Sequence, residues 1–194
     1  IGDGWVTDLG QLSRLKKLAG DTGFRDSVRK AKRETKSQFA QWLKTTSGQT
    51  VDPDTIFDVG ANTGVYTLYV ALRHRDARVV AFEPEYANLH LLRDNVVANG
   101  LQDRVEIYAL ALSNRVGLSR LHIQDLTPGA ALHVESREPV RVTRTHRPVV
   151  WQEGTCTFTL DAFCDETGVQ PQGIKIDVDG TEPEVLEGGA RTLK

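Results

Sequence analysis

Three short stretches hold the residue types that can do chemistry. The first is Asp58-Val-Gly-Ala-Asn-Thr-Gly64, with an acid, an amide and two glycines within seven residues. Glycine takes positive φ and lets a ligand approach the backbone closely. A strand entering a helix through such a turn presents backbone N–H groups at the helix start. The combination of Asp58, Gly60, Asn62 and Gly64 suits a nucleotide-type cofactor; an ordinary βα turn is the competing reading. The second stretch is Phe82-Glu-Pro84, with Glu83 placed 19 positions beyond Gly64. An acid at the end of a second strand is where a ribose diol is bound, because a carboxylate accepts both hydroxyl protons. A solvated acid at a strand end is the alternative. The third is Ile174-Lys-Ile-Asp-Val-Asp-Gly180, where Ile174, Ile176 and Val178 face one way and Lys175, Asp177 and Asp179 the other. Three charges on one face of a core strand are tolerable only where that face reaches a cleft. Asp177 is therefore a cleft residue in this reading, while Asp179 fits loop or cap geometry equally well.

The elements that position these stretches follow from periodicity. Ile56, Phe57 and Val59 form a short buried strand. Val65, Leu68, Tyr69 and Leu72 recur on one face of a helix. Arg78 to Phe82 is a second strand, which completes a βαβ unit of the length a parallel crossover requires. Glu85 to Ala98 reads as a helix with Leu89, Leu92 and Val96 inward, stopped by Asn99-Gly100. Arg104 to Leu112 reads as a third strand. Gly117–Ile123, Val140–Thr145 and Thr155–Leu160 read as three more. No crossover helix follows the third strand, so these are expected to pair antiparallel, beside or over the active-site face. Asp161 to Thr167 is a short helix. A last helix begins at a capping box, Thr181-x-x-Glu184, with Pro183 in its first turn, and bends or ends at Gly188-Gly189.

A hydrophobic fraction of 39% and a charged fraction of 26% over 194 residues describe a globular chain with no apolar run of membrane-spanning length. Cys156 and Cys164 are the only cysteines, without zinc spacing, and read as reduced thiols of a cytoplasmic protein. Residues 1–50 carry 10 Lys/Arg against 5 Asp/Glu, and residues 51–194 carry 14 against 21. That break divides the chain into a basic helical N-terminal extension, 1–50, and a core, 51–194. Leu9, Leu12, Leu15 and Leu18 mark one amphipathic helix of the extension. Phe24, Val28, Ala31, Phe39 and Trp42 mark another, and 47–53 reads as a linker. The basic face around Arg29, Lys30, Lys32, Arg33 and Lys36 could meet nucleic acid or an anionic membrane surface, but a solvated face explains it more simply. The chain starts at Ile1 and contains no Met, so a piece of a longer protein is expected.

Taken in order, Asp58-Val-Gly-Ala-Asn-Thr-Gly64, Phe82-Glu-Pro84, Ala111-Leu-Ser113, Leu160-Asp161, Ile174-Lys-Ile-Asp-Val-Asp-Gly-Thr-Glu182 and Val185-Leu186-x-Gly188 resemble the FkbM-type methyltransferases. The resemblance covers roughly residues 55–194. It implies an α/β fold, the class I methyltransferase Rossmann-like three-layer sandwich, and transfer of a methyl group from S-adenosylmethionine (SAM), usually to oxygen. By position it implies that Gly60, Asn62 and Gly64 form the turn beside the methionine part of SAM. Asp58 would hold the amino end, directly or through water, and Glu83 the ribose hydroxyls. Leu110 would sit on the adenine side, and Asp177 near the methyl group and the acceptor. The family commonly has Glu where this chain has Asp179. A class I sheet also continues beyond the helix near Lys194, so the sheet is expected to be truncated before its last strands.

The residues agree with that resemblance. SAM carries no pyrophosphate, and Gly60-x-Asn62-x-Gly64 fails the Gly-x-Gly-x-x-Gly dinucleotide spacing. Its sulfonium suits a cleft bearing Asp58, Glu83, Asp177 and Asp179. Asp177 is the first candidate base, with His133 and His146 behind it; no metal ligand set is defined. The acceptor expected is a small-molecule or sugar-like hydroxyl. A nicotinamide-linked oxidoreductase, a SAM-binding scaffold without activity and a nucleic-acid methyltransferase are the competing functions.

Overall fold

The computed structural model describes residues 55–140 and 148–194. The expected helical extension of 1–50, the linker 47–53, most of the strand 140–145 and His146 lie outside the described residues. Within them the order is β1 (Thr55–Val59), α1 (Val65–Arg73), β2 (Arg78–Phe82), α2 (Tyr86–Ala98), β3 (Val105–Tyr108), β4 (Ala111–Leu112), β5 (Gly117–Ile123), β6 (Val134–Glu135), β7 (Trp151–Phe158), α3 (Leu160–Thr167), β8 (Gly173–Ile176) and α4 (Glu182–Gly188). β3, β2, β1 and β8 form a parallel sheet in that spatial order.

Alternation along β1 and β2 builds the core on both faces of this sheet. Ile56, Val79 and Ala81 pack with Leu68, Val70 and Ala71 of α1 and Leu92 and Val96 of α2. Phe57, Val59, Val80 and Phe82 pack on the other face with Leu160 and Phe163 of α3 and Val185 of α4. The three-layer expectation therefore holds. The second face is tied by aromatic edges: Phe163 meets Phe57, Phe82 and Tyr108 at centroid distances of 5.6, 4.8 and 4.8 Å, all near perpendicular.

The inward stripes differ from the apolar pattern, because satisfied polar groups share them. Thr67, Leu68, Val70 and Ala71 are the buried residues of α1, and Leu72 is exposed. In α2, Leu91 and Leu92 are buried with Asn88, Asn95 and Val96, while Leu89 is half-buried. Asn95 Nδ2 donates to Thr63 O at 2.8 Å, which removes the penalty of burying the amide. Glu85 is the N-cap of α2 rather than its first residue, accepting from the N–H groups of Ala87 and Asn88.

The segment 104–112 is two strands, not one. β3 ends at Tyr108, and the chain crosses exposed Ala109 to join a second sheet of order β4-β7-β5-β6. In that sheet β5 pairs antiparallel with β6 and β7, as expected, while β4 pairs parallel with β7. β7 begins at Trp151, four residues earlier than the pattern suggested, and yields to α3 at Leu160. The capping box does not form at α4. Thr181 is the N-cap without a side-chain cap, its hydroxyl donating back to Val178 O. Glu182 Oε1 takes the N–H groups of Val178 and Gly180, and Glu184 Oε2 has no hydrogen-bond partner among the described residues. No helix among the described residues is long and apolar enough to cross a membrane.

The aromatic contacts make Phe163 the keystone of its layer. Phe163→Ala should cost about 3–5 kcal/mol, the range for a buried phenylalanine. Urea denaturation reads this as a lower midpoint at unchanged slope. A loss below about 1 kcal/mol would mean that the layer is held elsewhere.

Candidate active site

The turn between β1 and α1 has positive φ at three positions: Gly60 at 74°, Asn62 at 52° and Gly64 at 85°. Contact also forces Gly60, and Gly64 is closely packed. A Cβ on Gly60 would lie 2.1 Å from the carbonyl oxygen of Asp177, and one on Gly64 would lie 2.4 Å from Leu92 Cδ1. The first lets the ends of β1 and β8 approach, and the second lets α2 close on the start of α1.

The backbone donors of residues 60–64, which lead into the helix at Val65, are taken by protein acceptors. Gly60 N and Ala61 N both donate to Phe82 O, at 3.1 and 3.0 Å. Asn62 N donates to Glu83 Oε2 at 2.7 Å, Thr63 N to Asn62 Oδ1 at 2.8 Å and Gly64 N to Ala61 O at 2.9 Å. The turn is thus saturated from within.

Above it opens a cleft of about 920 Å³. Gly60, Asn62, Glu83, Leu110, Asp177 and Asp179 all line it, so the structure gathers residues up to 119 positions apart. His133 lines it as well. Asp58 and Gly64 do not. Glu83 is almost fully buried, with Oε1 accepting from Glu85 N at 3.0 Å and Oε2 from Asn62 N. Burial pushes its carboxyl up from 4.5 to about 7, despite the two backbone donors that favour the ionised form.

Asp58 is fully buried on the α1 side of the sheet, where Thr67 Oγ1 donates to its Oδ2 at 2.6 Å. Its Oδ1 makes an ion pair with Lys175 Nζ at 2.9 Å, a charge contact rather than an aligned hydrogen bond. The hydrogen bond of that ammonium goes to Gly60 O at 2.8 Å. Lys175, unlike Asp58, lines the cleft, and its Nζ sits 5.7 Å from the ring centroid of Tyr66. Burial, then the Asp58 charge, raises the Tyr66 phenol above its usual range. Sequence placed Lys175 on the polar face of its strand but gave Asp58 no partner. The missing signal was the register: parallel pairing sets Asp58 directly opposite Lys175.

Sequence also missed the wall made by 127–132. Asn62 Nδ2 and Asn88 Nδ2 both donate to Ala130 O, and Asn88 Oδ1 accepts from Gly129 N at 2.7 Å. Asp179, itself at φ 57°, accepts from Leu132 N. That tether gives Asp179 the loop role. Asp177 is exposed at the mouth of the cleft, its N–H donating to Val59 O at 3.0 Å. Burial lowers the His133 pKa, against the pull of Glu85, Asp179 and Asp125. Among the described residues no group of three or more His, Cys, Asp or Glu converges to hold a metal ion.

Two outcomes follow from this geometry. Gly168 shares the positive φ of Gly60, at 68° against 74°, but a Cβ there would meet nothing within 4 Å. Gly168→Ala should cost about 1–2 kcal/mol for the backbone alone, and Gly60→Ala at least ~2 kcal/mol more for the clash. Equal losses by denaturant unfolding would show that β8 gives way freely. For Glu83 the folded state holds a proton that the unfolded chain releases, between pH 4.5 and 7. Its stabilising effect is therefore full below 4.5 and lost as pH rises through 7, an upper bound of about 3 kcal/mol. Glu83→Gln should flatten the stability curve across that window, and an unchanged slope would contradict the raised value.

Residues 58–194 match the family model described as the methyltransferase FkbM domain. The 31-O-demethyl-FK506 methyltransferase FkbM of Streptomyces tacrolimicus is 32% identical over 155 residues, 70% of this chain and 59% of that protein. The 2-O-methyltransferase NoeI of Sinorhizobium fredii is 28% identical over 145 residues, 71% of this chain and 58% of that protein. The chain thus spans about three-fifths of the length of these methyltransferases. Residues 1–63 match a second model, carbohydrate phosphorylase. A glycogen phosphorylase of Synechocystis sp. is 42% identical over 59 residues, 30% of this chain and 7% of that protein. A solved RNA methyltransferase of Salinibacter ruber with S-adenosyl-L-homocysteine is 24% identical and covers 37% of this chain and 45% of its own. Its TM-score of 0.32 is too low to carry weight. Over the cleft, both glycines of the turn and the strand that leads into Asp177, the chain belongs to the FkbM methyltransferase family.

Proposed function

We propose that this chain binds SAM in the cleft and transfers its methyl group to a hydroxyl of a small-molecule or sugar-like acceptor. The observation that carries the reading is the saturated turn. Gly60, Ala61, Asn62, Thr63 and Gly64 all spend their N–H groups on protein acceptors. A dinucleotide pyrophosphate needs such donors free. SAM has no phosphate, so donors spent inside the turn count more against the nicotinamide alternative than against SAM. A cleft of about 920 Å³ is of the size that takes a nucleoside cofactor with an acceptor beside it. Glu83, at the carboxyl end of β2, is the group that fits the ribose hydroxyls, and Leu110 the adenine side. The names of the FkbM and NoeI relatives describe methylation of oxygen, which favours a hydroxyl target here.

SAM, when bound, supplies an electrophilic methyl carbon on sulfur. The protein contributes alignment, worth up to ~7–11 kcal/mol in well-oriented systems. Asp177, exposed at the cleft mouth, takes the acceptor hydroxyl proton as the C–O bond forms and the S–C bond breaks, an assistance of ~10²–10⁴-fold. The wall 127–132, held by Asn62, Asn88 and Asp179, borders the acceptor. We further assign the chain to two parts, a phosphorylase-like N-terminal stretch and the methyltransferase core. We assign it to the cytoplasm, since Cys156 and Cys164 are both free.

Calorimetry with SAM, S-adenosylhomocysteine and NAD tests the cofactor; tight NAD binding without SAM binding would sink the assignment. Glu83→Ala should weaken S-adenosylhomocysteine by about tenfold or more. Labelled-methyl transfer into candidate hydroxyl compounds tests the reaction. Asp177→Asn should lower turnover by about 10²-fold while SAM affinity changes little. Unchanged turnover would remove Asp177 as base.

A further inference from the structure

The methionine end of the cleft has the opposite polarity to the one that its sequence suggests. Asp58 has no exposed surface, and its oxygens are turned to Thr67 and Lys175. What reaches the cleft from that pair is the Lys175 ammonium, beside Gly60 at the turn. We infer that Lys175 recognises the α-carboxylate of the cofactor, with Asp58 as the positioning residue that fixes the ammonium; the inference rests on the SAM reading above.

The chemistry of the donor set carries this. An ammonium has three N–H donors. Among the described residues one is accounted for by the hydrogen bond to Gly60 O, while Asp58 Oδ1 supplies charge at 2.9 Å. Lys175 is also held in place: Asp58 lies opposite it in the β1–β8 register, and the Tyr66 ring flanks it. A fixed, partly desolvated ammonium costs little reorganisation when an anion arrives, and a charge-assisted bond there is stronger than a neutral one. The saturated turn sharpens the point. With the N–H groups of residues 60–64 spent internally, a carboxylate at this end finds no donor among them, and the Lys175 ammonium beside Gly60 supplies one. Lys175 is the cationic side chain that lines the cleft, among the described residues.

Two ligands that differ at that group separate the possibilities. S-adenosylhomocysteine carries the amino-acid carboxylate, and 5′-methylthioadenosine keeps the adenosine and sulfur without it. Lys175→Met should weaken S-adenosylhomocysteine by about tenfold or more, while 5′-methylthioadenosine changes by less than about twofold. Lys175→Met leaves Asp58 buried without its partner, so the double variant Asp58→Asn/Lys175→Met is measured beside it, with the same selective loss expected. Asp58→Asn alone keeps the ammonium and should retain most of the preference for S-adenosylhomocysteine. Equal weakening of both ligands in the Lys175 variants would make the residue structural and overturn the inference. Selective loss in Asp58→Asn alone, as large as in the Lys175 variants, would overturn it in favour of an acidic contact to the amino group. Failure of the unaltered chain to bind either ligand would instead sink the SAM reading and this inference with it.

Discussion

Where β1 and β8 run side by side, Asp58 stands opposite Lys175 and Gly60 lies against the carbonyl of Asp177. Both contacts shape the turn end of the cleft. The ion pair allows two charges to sit within a parallel sheet that is otherwise apolar on that face. Asp58 is the charge that depends on the pair, because it is fully buried and an unpaired buried ion costs several kcal/mol. The glycine contact brings the carboxyl ends of the two strands together, which puts the turn and Asp177 on the same opening. Open α/β sheets bind ligands outside the carboxyl ends of their strands. Here that geometry comes from one missing side chain and one salt bridge.

The same economy governs the neighbouring strand. Glu83 is buried enough for its carboxyl to rise to about 7, yet it accepts two backbone N–H bonds, one of them from the turn. It is therefore a structural clamp between β2 and the turn as well as the acid facing the cleft. A carboxylate in that position gains from hydroxyl donors, since they stabilise the charged form that burial disfavours. Asn62 works in a similar double way. Its N–H closes on Glu83, and its side chain reaches Ala130 on the far wall. Its φ of 52° is the strained conformation that makes both reachable from one residue.

The parallel sheet and its helices were legible because their signals are local. Ile56, Phe57 and Val59, and then Val79 to Phe82, are short apolar runs whose burial matches their composition. Gly60 and Gly64 announced a turn, and both take the φ that only glycine holds without strain. The acids of the cleft were legible for a related reason, as charges on strands that had no other place for them. What stayed hidden was pairwise. Nothing local in Lys175 names Asp58, 117 positions earlier, as its partner. Nothing in Asn88 reveals that its amide holds Gly129 and Ala130. The segment 104–112 read as one strand because its apolar pattern is continuous, and the change of sheet after Tyr108 is a tertiary event. The capping box failed for a local reason that pattern reading does not rank: Glu182 lies nearer the turn at 178–180 than Glu184 does.

β1 has a further property. It lies within the stretch that is similar to carbohydrate phosphorylase, 1–63, while the FkbM match begins at residue 58 inside it. The strand nevertheless sits at an interior position of the parallel sheet, between β2 and β8, with Phe57 unexposed. Physics permits this because an interior parallel strand asks little of its sequence: apolar side chains on both faces and backbone groups free to pair. Thr55-Ile-Phe-Asp-Val59 meets that demand whichever relative it resembles. The demanding residues are Asp58, which must meet Lys175 and Thr67, and the turn that follows it. All but Gly64 fall in the six residues where the two similarities overlap, 58–63. The fold thus tolerates a change of resemblance within β1, and its strict requirements begin at the residue where the FkbM match begins.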